Sequence, residues 1–256
     1  MKILVTNDDG INAPGLWALA EQLTKAGEVV VCAPDREQSG TGTAISLHRS
    51  VKLTEVDSLV PSVRAYAVEG TPGDSVILAL RMMEDVAMVF SGINRGANMG
   101  HDVLLSGTVG AALQGYLHGV PSVAISVQAG QAGEETNFEV AARLAPLLAS
   151  RVSSNGSGAL LLNVNLPNLP LDRIGGVDIT RVGKGGYSTA ITMGSDGSKD
   201  SYRITIGQPW WDAEEGTDIH ALDRCRISIT PLQGELSTAK EVPLPENLAS
   251  MLFREL

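Results

Sequence analysis

A chain of 256 residues, 43% of them hydrophobic, is long enough to bury the core of one large α/β domain or of a main domain with an appendage. Its formal charge of −10 argues against a nucleic-acid duplex as the main partner, because backbone phosphates need a basic face. A small phosphorylated substrate stays open, since a local cation inverts the field at one site.

No apolar run approaches the length of a membrane span, and after Lys2 only Ile3, Leu4 and Val5 are apolar before Thr6 and Asn7. That matches no signal peptide, so the expectation is a soluble, cytoplasmic protein. Cys32 and Cys225 form no CxxC pair and sit in apolar, strand-like runs, where buried free thiols are expected.

Residues 2–6 read as a buried strand that stops at Asp8-Asp9-Gly10. Within a strand, adjacent side chains point to opposite faces, so the two aspartates belong just past its end. There they form either a solvated turn or a carboxylate pair converging on a cation, which relieves their repulsion. Pro14 opens a helix on which Leu16, Leu19, Ala20 and Leu23 recur at helical spacing, with Gly27 as its stop. Residues 28–33 are a second apolar strand, and strand–helix–strand with short joints predicts a parallel βαβ unit.

A polar loop, 35–43, follows and contains Ser39. Two β-rich runs within 51–68 flank Pro61-Ser62 as a hairpin, and a helix is expected from Pro72 to about residue 84. A short strand at 87–90 ends in a third polar loop, 91–100, that carries Asn94 and Asn98. Its glycines fit neither GxGxxG nor a Walker A loop, so dinucleotide and ATP fingerprints are absent. Ser106-Gly107-Thr108 opens the next helix, which runs to Gly119; its free N–H groups can bind an anion, and its hydroxyls can equally be plain caps.

A strand at 121–127 closes the first half. A small-residue linker at 130–136, a helix at 137–150, a flexible loop at 153–158 with an Asn155-Gly156-Ser157 glycosylation match, and a strand at 159–166 follow. Beyond Gly175 short β runs at 177–182, 202–206 and 226–231 alternate with loops, Trp210-Trp211 lies between them as an interface pair, and 245–253 reads as a short helix. We expect a catalytic core over 1–130 and a second part over 131–256.

Asp8, Asp9, Ser39 and Asn94 thus lie on three loops at the C-terminal ends of parallel strands, where open α/β sheets place ligands. All four offer oxygen, the chemistry of Mg²⁺ or Mn²⁺ rather than of zinc. His48, His101, His118 and His220 are not needed for it.

The motifs Thr6-Asn7-Asp8-Asp9-Gly10, Ala33-Pro34-Asp35-Arg36 with Ser39-Gly40, Gly70-Thr71-Pro72 with Asp74, Ser91-Gly92-Ile93-Asn94 and Ser106-Gly107-Thr108-Val109 resemble, in order, those of the SurE (survival protein E) nucleotidases. The resemblance runs on to Gly216-Thr217-Asp218 and Thr230-Pro231-Leu232. It implies an α/β fold, a Rossmann-like three-layer parallel sheet with a β-rich C-terminal oligomerisation extension. The implied activity is metal-dependent hydrolysis of nucleoside 5′- and 3′-monophosphates, with a broader phosphoesterase acting on short polyphosphate, or a non-catalytic nucleotide sensor, as alternatives.

It also implies one Mg²⁺ or Mn²⁺ per subunit on Asp8, Asp9, Ser39 and Asn94, with Asp8 and Asp9 catalytic and Asn98, Ser106, Gly107 and Thr108 binding phosphate. Subunits would exchange C-terminal segments in a homodimer or homotetramer. Leu105 departs from the tyrosine common in the family before Ser-Gly-Thr, which changes the pocket lining.

Overall fold

The computed structural model describes residues 1–130, 134–152, 159–193 and 202–234. The expected loop at 153–158, part of the 130–136 linker and the terminal helix at 245–253 lie outside the described residues.

The chain alternates as expected through its first half. Strand β1 (Lys2–Thr6), helix α1 (Pro14–Leu23) and strand β2 (Glu28–Pro34) form the parallel βαβ unit. The hairpin is β3 (Leu53–Val56) and β4 (Arg64–Val68), followed by α2 (Pro72–Met82) and β5 (Val86–Arg95). Next come α3 (Gly107–Leu117), β6 (Ser122–Val127), α4 (Glu139–Val152) and β7 (Leu161–Leu166). The C-terminal part adds β8 (Val177–Ile179), β9 (Lys184–Met193), β10 (Tyr202–Asp212), α5 (Asp218–Asp223) and β11 (Ile227–Leu232).

Nine strands make one sheet in the order β3-β4-β2-β1-β5-β6-β7-β11-β8. Its centre, from β4 through β2, β1, β5 and β6 to β7, is parallel. Relative to the expected parallel sheet, the margins are mixed: β3 is antiparallel to β4, and β11 is antiparallel to β7 while pairing parallel with β8. The cause at one margin is the hairpin connection, which reverses direction by construction.

Burial on both faces follows from the strand alternation. Ile3 and Val5 of β1 and Met88 and Phe90 of β5 pack under α1 and α4, whereas Leu4 and Val89 face the cluster beneath α2. Each fully buried Leu, Ile or Phe contributes about 1.5–3 kcal/mol. The result is three layers, with the order in which successive strands are added reversing between β1 and β5. The first excursion from β1 runs to β2 and β4, and the second runs from β5 to β6 and β7. That is the Rossmann strand order, and its switch-point crevice lies at the C-terminal ends of β1 and β5.

Three expectations change in detail. Strand β5 does not stop at residue 90 but runs to Arg95, with a register shift between Ser91 and Asn94 in its pairing with β6. Asn94 is therefore held on a strand end rather than in a loop. Cys32 is buried, but Cys225 is exposed. It occupies a left-handed turn (φ 54°) between α5 and β11 instead of an apolar strand. The runs at 177–182 and 202–206 are reapportioned, because β9 and a longer β10 form a separate antiparallel pair that takes in Trp210 and Trp211. Trp211 meets Tyr187 edge-on at 5.5 Å and Trp210 meets His101 at 5.8 Å.

Candidate active site

The acidic turn is built by its own sequence. Asn7 Nδ2 donates to the Gly10 carbonyl (3.0 Å) and Asn7 Oδ1 accepts from the Gly10 N–H (3.2 Å), closing the turn immediately after β1. Gly10 has φ +98°, and a Cβ there would lie 2.9 Å from the Arg36 carbonyl carbon. Only glycine satisfies both conditions. The loop after β2 is laced onto this turn by Ile11 N–H to the Pro34 carbonyl (2.8 Å) and Gln38 N–H to the Asp8 carbonyl (2.7 Å).

Asp8 is 4% exposed, and its Oδ1 accepts a 2.5 Å hydrogen bond from the Thr108 hydroxyl. Thr108 is in the first turn of α3, whose N-cap is Ser106, with Ser106 Oγ accepting from the Val109 N–H. Between them sits Gly107, where a Cβ would lie 2.8 Å from Asp8 Cβ and 2.9 Å from Asp8 Oδ2. The glycine lets the positive end of a helix press directly on a carboxylate. Asp9 is turned toward β5, where its Oδ2 accepts weakly from the Arg95 N–H at 3.4 Å.

Burial raises the carboxyl pKa of Asp8. Burial, and then the charge of Asp8, push Asp9 up to about 6. Glu37, a third carboxylate that sequence reasoning did not single out, adds to both shifts. Among the described residues no Lys, Arg or His forms an ion pair with Asp8 or Asp9. Two adjacent carboxylates outside any such ion pair are a fitting seat for a divalent cation. The described residues hold no group of three or more His, Cys, Asp and Glu suited to a metal. A cation here would therefore complete its shell on neutral oxygens and water, as Mg²⁺ and Mn²⁺ do.

The neutral candidates are placed unevenly. Asn94 spends its Nδ2 on the Gly96 carbonyl (2.7 Å), which leaves its oxygen as the group to offer. Ser39 is exposed, and its hydroxyl donates to Glu37 Oε1 at 2.9 Å. Asn98 is buried, with Nδ2 on Ser126 Oγ (2.9 Å) and its N–H on Asn165 Oδ1 (2.8 Å). Asn163 and Asn165 both donate to the Asn98 carbonyl. The structure thus brings Asp8, Gly107 and Thr108 together directly, with the neighbouring Asp9 turned toward β5, whereas the Asn98 amide is committed to anchoring its loop on β6 and β7.

The family model described as Survival protein SurE matches residues 3–189. The chain belongs to the SurE family. It is 43% identical over 239 residues to the 5′-nucleotidase SurE of Dehalococcoides mccartyi (strain CBDB1), covering 92% of this chain and 90% of that protein. It is 46% identical over 242 residues to the 5′-nucleotidase SurE of Moorella thermoacetica, covering 93% and 92%. The crystal structure of the SurE protein from Aquifex aeolicus superimposes with a TM-score of 0.78 at 33% identity over the whole of both chains.

Within this SurE-family chain, two supports of the site escaped sequence reasoning. One is the asparagine pair Asn163 and Asn165 on β7, whose only signal was polarity inside a fully buried strand. The other is the tether of the loop after β2, in which Asp74 accepts from both the N–H and the hydroxyl of Ser46 while Thr71 Oγ1 donates to the Ala44 carbonyl. Leu105, where family members often carry tyrosine, contributes through its backbone carbonyl, which accepts from the Gly42 N–H at 3.0 Å.

Proposed function

We propose that this chain is a metal-dependent phosphatase that hydrolyses nucleoside 5′-monophosphates, and 3′-monophosphates as a second class, to nucleoside and phosphate. The observation that carries the reading is the buried Asp8 beside the half-buried Asp9, neither in an ion pair among the described residues, set against the first turn of α3 at Gly107 and Thr108. The 5′-nucleotidase names of relatives at 43% and 46% identity support the substrate class.

In this reading Asp8, Asp9, Ser39 and Asn94 hold one Mg²⁺ or Mn²⁺ per subunit. The metal, when bound, supplies charge neutralisation of the phosphoryl group and a lowered pKa for water. The N–H groups of α3 at Gly107 and Thr108, with the Ser106 hydroxyl, hold phosphoryl oxygens, and Asn98 secures the loop that faces them. Asp9 accepts a proton from the attacking water. The water oxygen forms the new bond to phosphorus, the ester P–O bond breaks, and the departing alkoxide takes a proton from solvent, to which Asp9 returns the proton it accepted. Thr108 orients Asp8 and favours its charged form against the effect of burial.

The rest of the proposal concerns organisation. Residues 1–130 act as the catalytic core, and 131–256 complete the sheet and carry the oligomerisation segment of a homodimer or homotetramer. Support comes from the β9–β10 pair, a two-stranded sheet that leaves Ile191, Tyr202 and Ile204 at 69%, 66% and 73% exposure. Two isolated strands are marginal in water without something to cover them. No helix among the described residues is long and apolar enough to cross a membrane, in keeping with a cytoplasmic site of action.

Phosphate release from a panel of nucleoside monophosphates with each metal tests the activity. Asp8→Asn is expected to reduce it at least a hundredfold, and an unchanged rate overturns the reading. Sedimentation at low concentration tests the assembly, since a stable, active monomer contradicts it.

A further inference from the structure

Residues 35–52 join β2 to β3 without a helix or strand of their own. Connections of that length inside a compact domain are generally functional. This one is held at both ends. Near β2, the Gln38 N–H donates to the Asp8 carbonyl at 2.7 Å, which sets Ser39 beside the acidic turn. Further along, Ser46 meets Asp74 in the first turn of α2, 28 residues later in the chain.

Between those anchors the loop lies against the starts of α2 and α3. The Gly42 N–H donates to the Leu105 carbonyl at 3.0 Å, and a Cβ on Gly110 would collide with the Gly42 carbonyl oxygen. The Thr41 hydroxyl donates to the Gln38 carbonyl at 2.8 Å and lies 3.1 Å from where a Cβ on Gly107 would sit. A Cβ on Gly73 of α2 would lie 3.2 Å from the Ala44 carbonyl oxygen. Gly107, which lets α3 press on Asp8, thus receives the loop as well.

The far anchor is charge-assisted. Asp74 is 6% exposed and accepts from the Ser46 N–H and hydroxyl at 2.8 Å each and from the Thr71 N–H at 2.9 Å. Burial opposes its charge, but these donors outweigh burial and hold the carboxyl below its usual value. Thr71 adds a bond of its own, from its hydroxyl to the Ala44 carbonyl at 2.7 Å. Arg49 Nε donates to the Ser46 hydroxyl at 3.0 Å, which ties the exposed Arg49 to the same latch. Thr71 and Asp74 already close the capping box of α2 between themselves. The helix needs only that pair, so the two bonds to Ser46 serve the loop.

We infer that Asp74 is a positioning residue for the metal: by latching Ser46 it holds the loop on the path that delivers the Ser39 hydroxyl to Asp8 and Asp9. This role rests on the reading of Ser39 as a metal ligand and extends it to two residues outside the site. A loop released at Ser46 must be ordered anew whenever metal binds, and that cost weakens binding. By the same linkage, bound metal tightens the latch.

The test reads metal binding itself, by calorimetric titration of chelator-stripped protein with Mg²⁺ or Mn²⁺, beside trypsin cleavage after Arg49. Asp74→Asn is expected to raise the dissociation constant about tenfold. Ser46→Ala, which leaves the capping box intact, is expected to raise it about threefold, and Ser46→Thr should bind as wild type does. Ala79→Gly weakens α2 at a buried position away from the latch, so it should lower the melting temperature without moving the dissociation constant. Saturating metal should slow cleavage after Arg49 in wild type and fail to do so in Ser39→Ala. Wild-type affinity in both latch variants, cleavage indifferent to metal, or an equal shift in Ala79→Gly overturns the latch while leaving the phosphatase reading intact. Wild-type protein that binds neither metal overturns the metal reading as well.

Discussion

The Thr108 hydroxyl donates to Asp8 Oδ1 at 2.5 Å, joining the first turn of α3 to the acidic turn 100 residues earlier in the chain. A hydroxyl donor on a buried carboxylate favours the charged form that burial opposes, so Thr108 works against the rise that burial imposes on Asp8. Hydrogen bonds to charged groups contribute about 1.5–3 kcal/mol. Thr108→Val should therefore reduce kcat/KM by about 10- to 100-fold and weaken metal binding. Thr108→Ser should retain most of both, as measured by steady-state kinetics and metal titration.

Gly107 sets how closely α3 approaches that carboxylate. Gly107→Ala places a methyl 2.8 Å from Asp8 Cβ, a contact that either the turn or the helix must relieve. Activity should fall by about a hundredfold or more, with far-ultraviolet circular dichroism unchanged. Near-normal turnover would show that the cradle is looser than this spacing indicates.

Asp9 links function to stability at a definite pH. Without metal, the native chain keeps a proton on Asp9 up to about pH 6, whereas the usual aspartate value is 3.8. Between those values the folded state binds more protons than the unfolded one, so this group's contribution declines as pH rises through the window. The melting temperature of the chelated protein should accordingly fall between about pH 4 and 6 by more in wild type than in Asp9→Asn. At pH 7.5 Asp9→Asn should melt a few degrees higher without metal, yet lose the rise that Mg²⁺ or Mn²⁺ gives wild type. Differential scanning calorimetry with chelator and with metal reads both effects.

Asp218 is a stability prediction away from the chemistry. It is fully buried and accepts from the N–H groups of Gly100 (3.1 Å), Gly183 (2.8 Å) and Ile219 (2.9 Å), tying α5 to the root of β9 and to the turn ahead of Ser106. Asp218→Ala strands those donors and should cost about 2–3 kcal/mol. That is about 4–12 °C in melting temperature for a chain of this size. An unaltered melting temperature would mean that water replaces the carboxylate.

The parts of the molecule readable from sequence are those governed by neighbours in the chain. The run Ile3-Leu4-Val5, followed after Thr6-Asn7 by Asp8-Asp9-Gly10, announces a buried strand and a polar switch-point turn, and Pro14 and Ser106 announce their helices. What was not readable depends on partners far along the chain. Asn163 and Asn165 matter because β7 lies two strands from β5, with β6 between, where they meet Asn98 from 65 and 67 residues away. The β9–β10 pair was divided wrongly because glycines at 183, 185 and 186 read as loop, although the pairing of Gly185 and Gly186 with Trp211 and Trp210 makes them strand. Cys225 was misplaced because a left-handed turn interrupts a run that looks apolar.

The central claim, that Asp8 and Asp9 are the seat of a metal required for phosphate-ester hydrolysis, meets its most direct test in one assay. Phosphate release from a nucleoside 5′-monophosphate is followed for wild-type and Asp8→Asn protein, stripped with chelator and then resupplied with Mg²⁺ or Mn²⁺. The account predicts no turnover in stripped wild type, recovery on adding metal, and no recovery in Asp8→Asn. Full activity in stripped wild-type protein would contradict it.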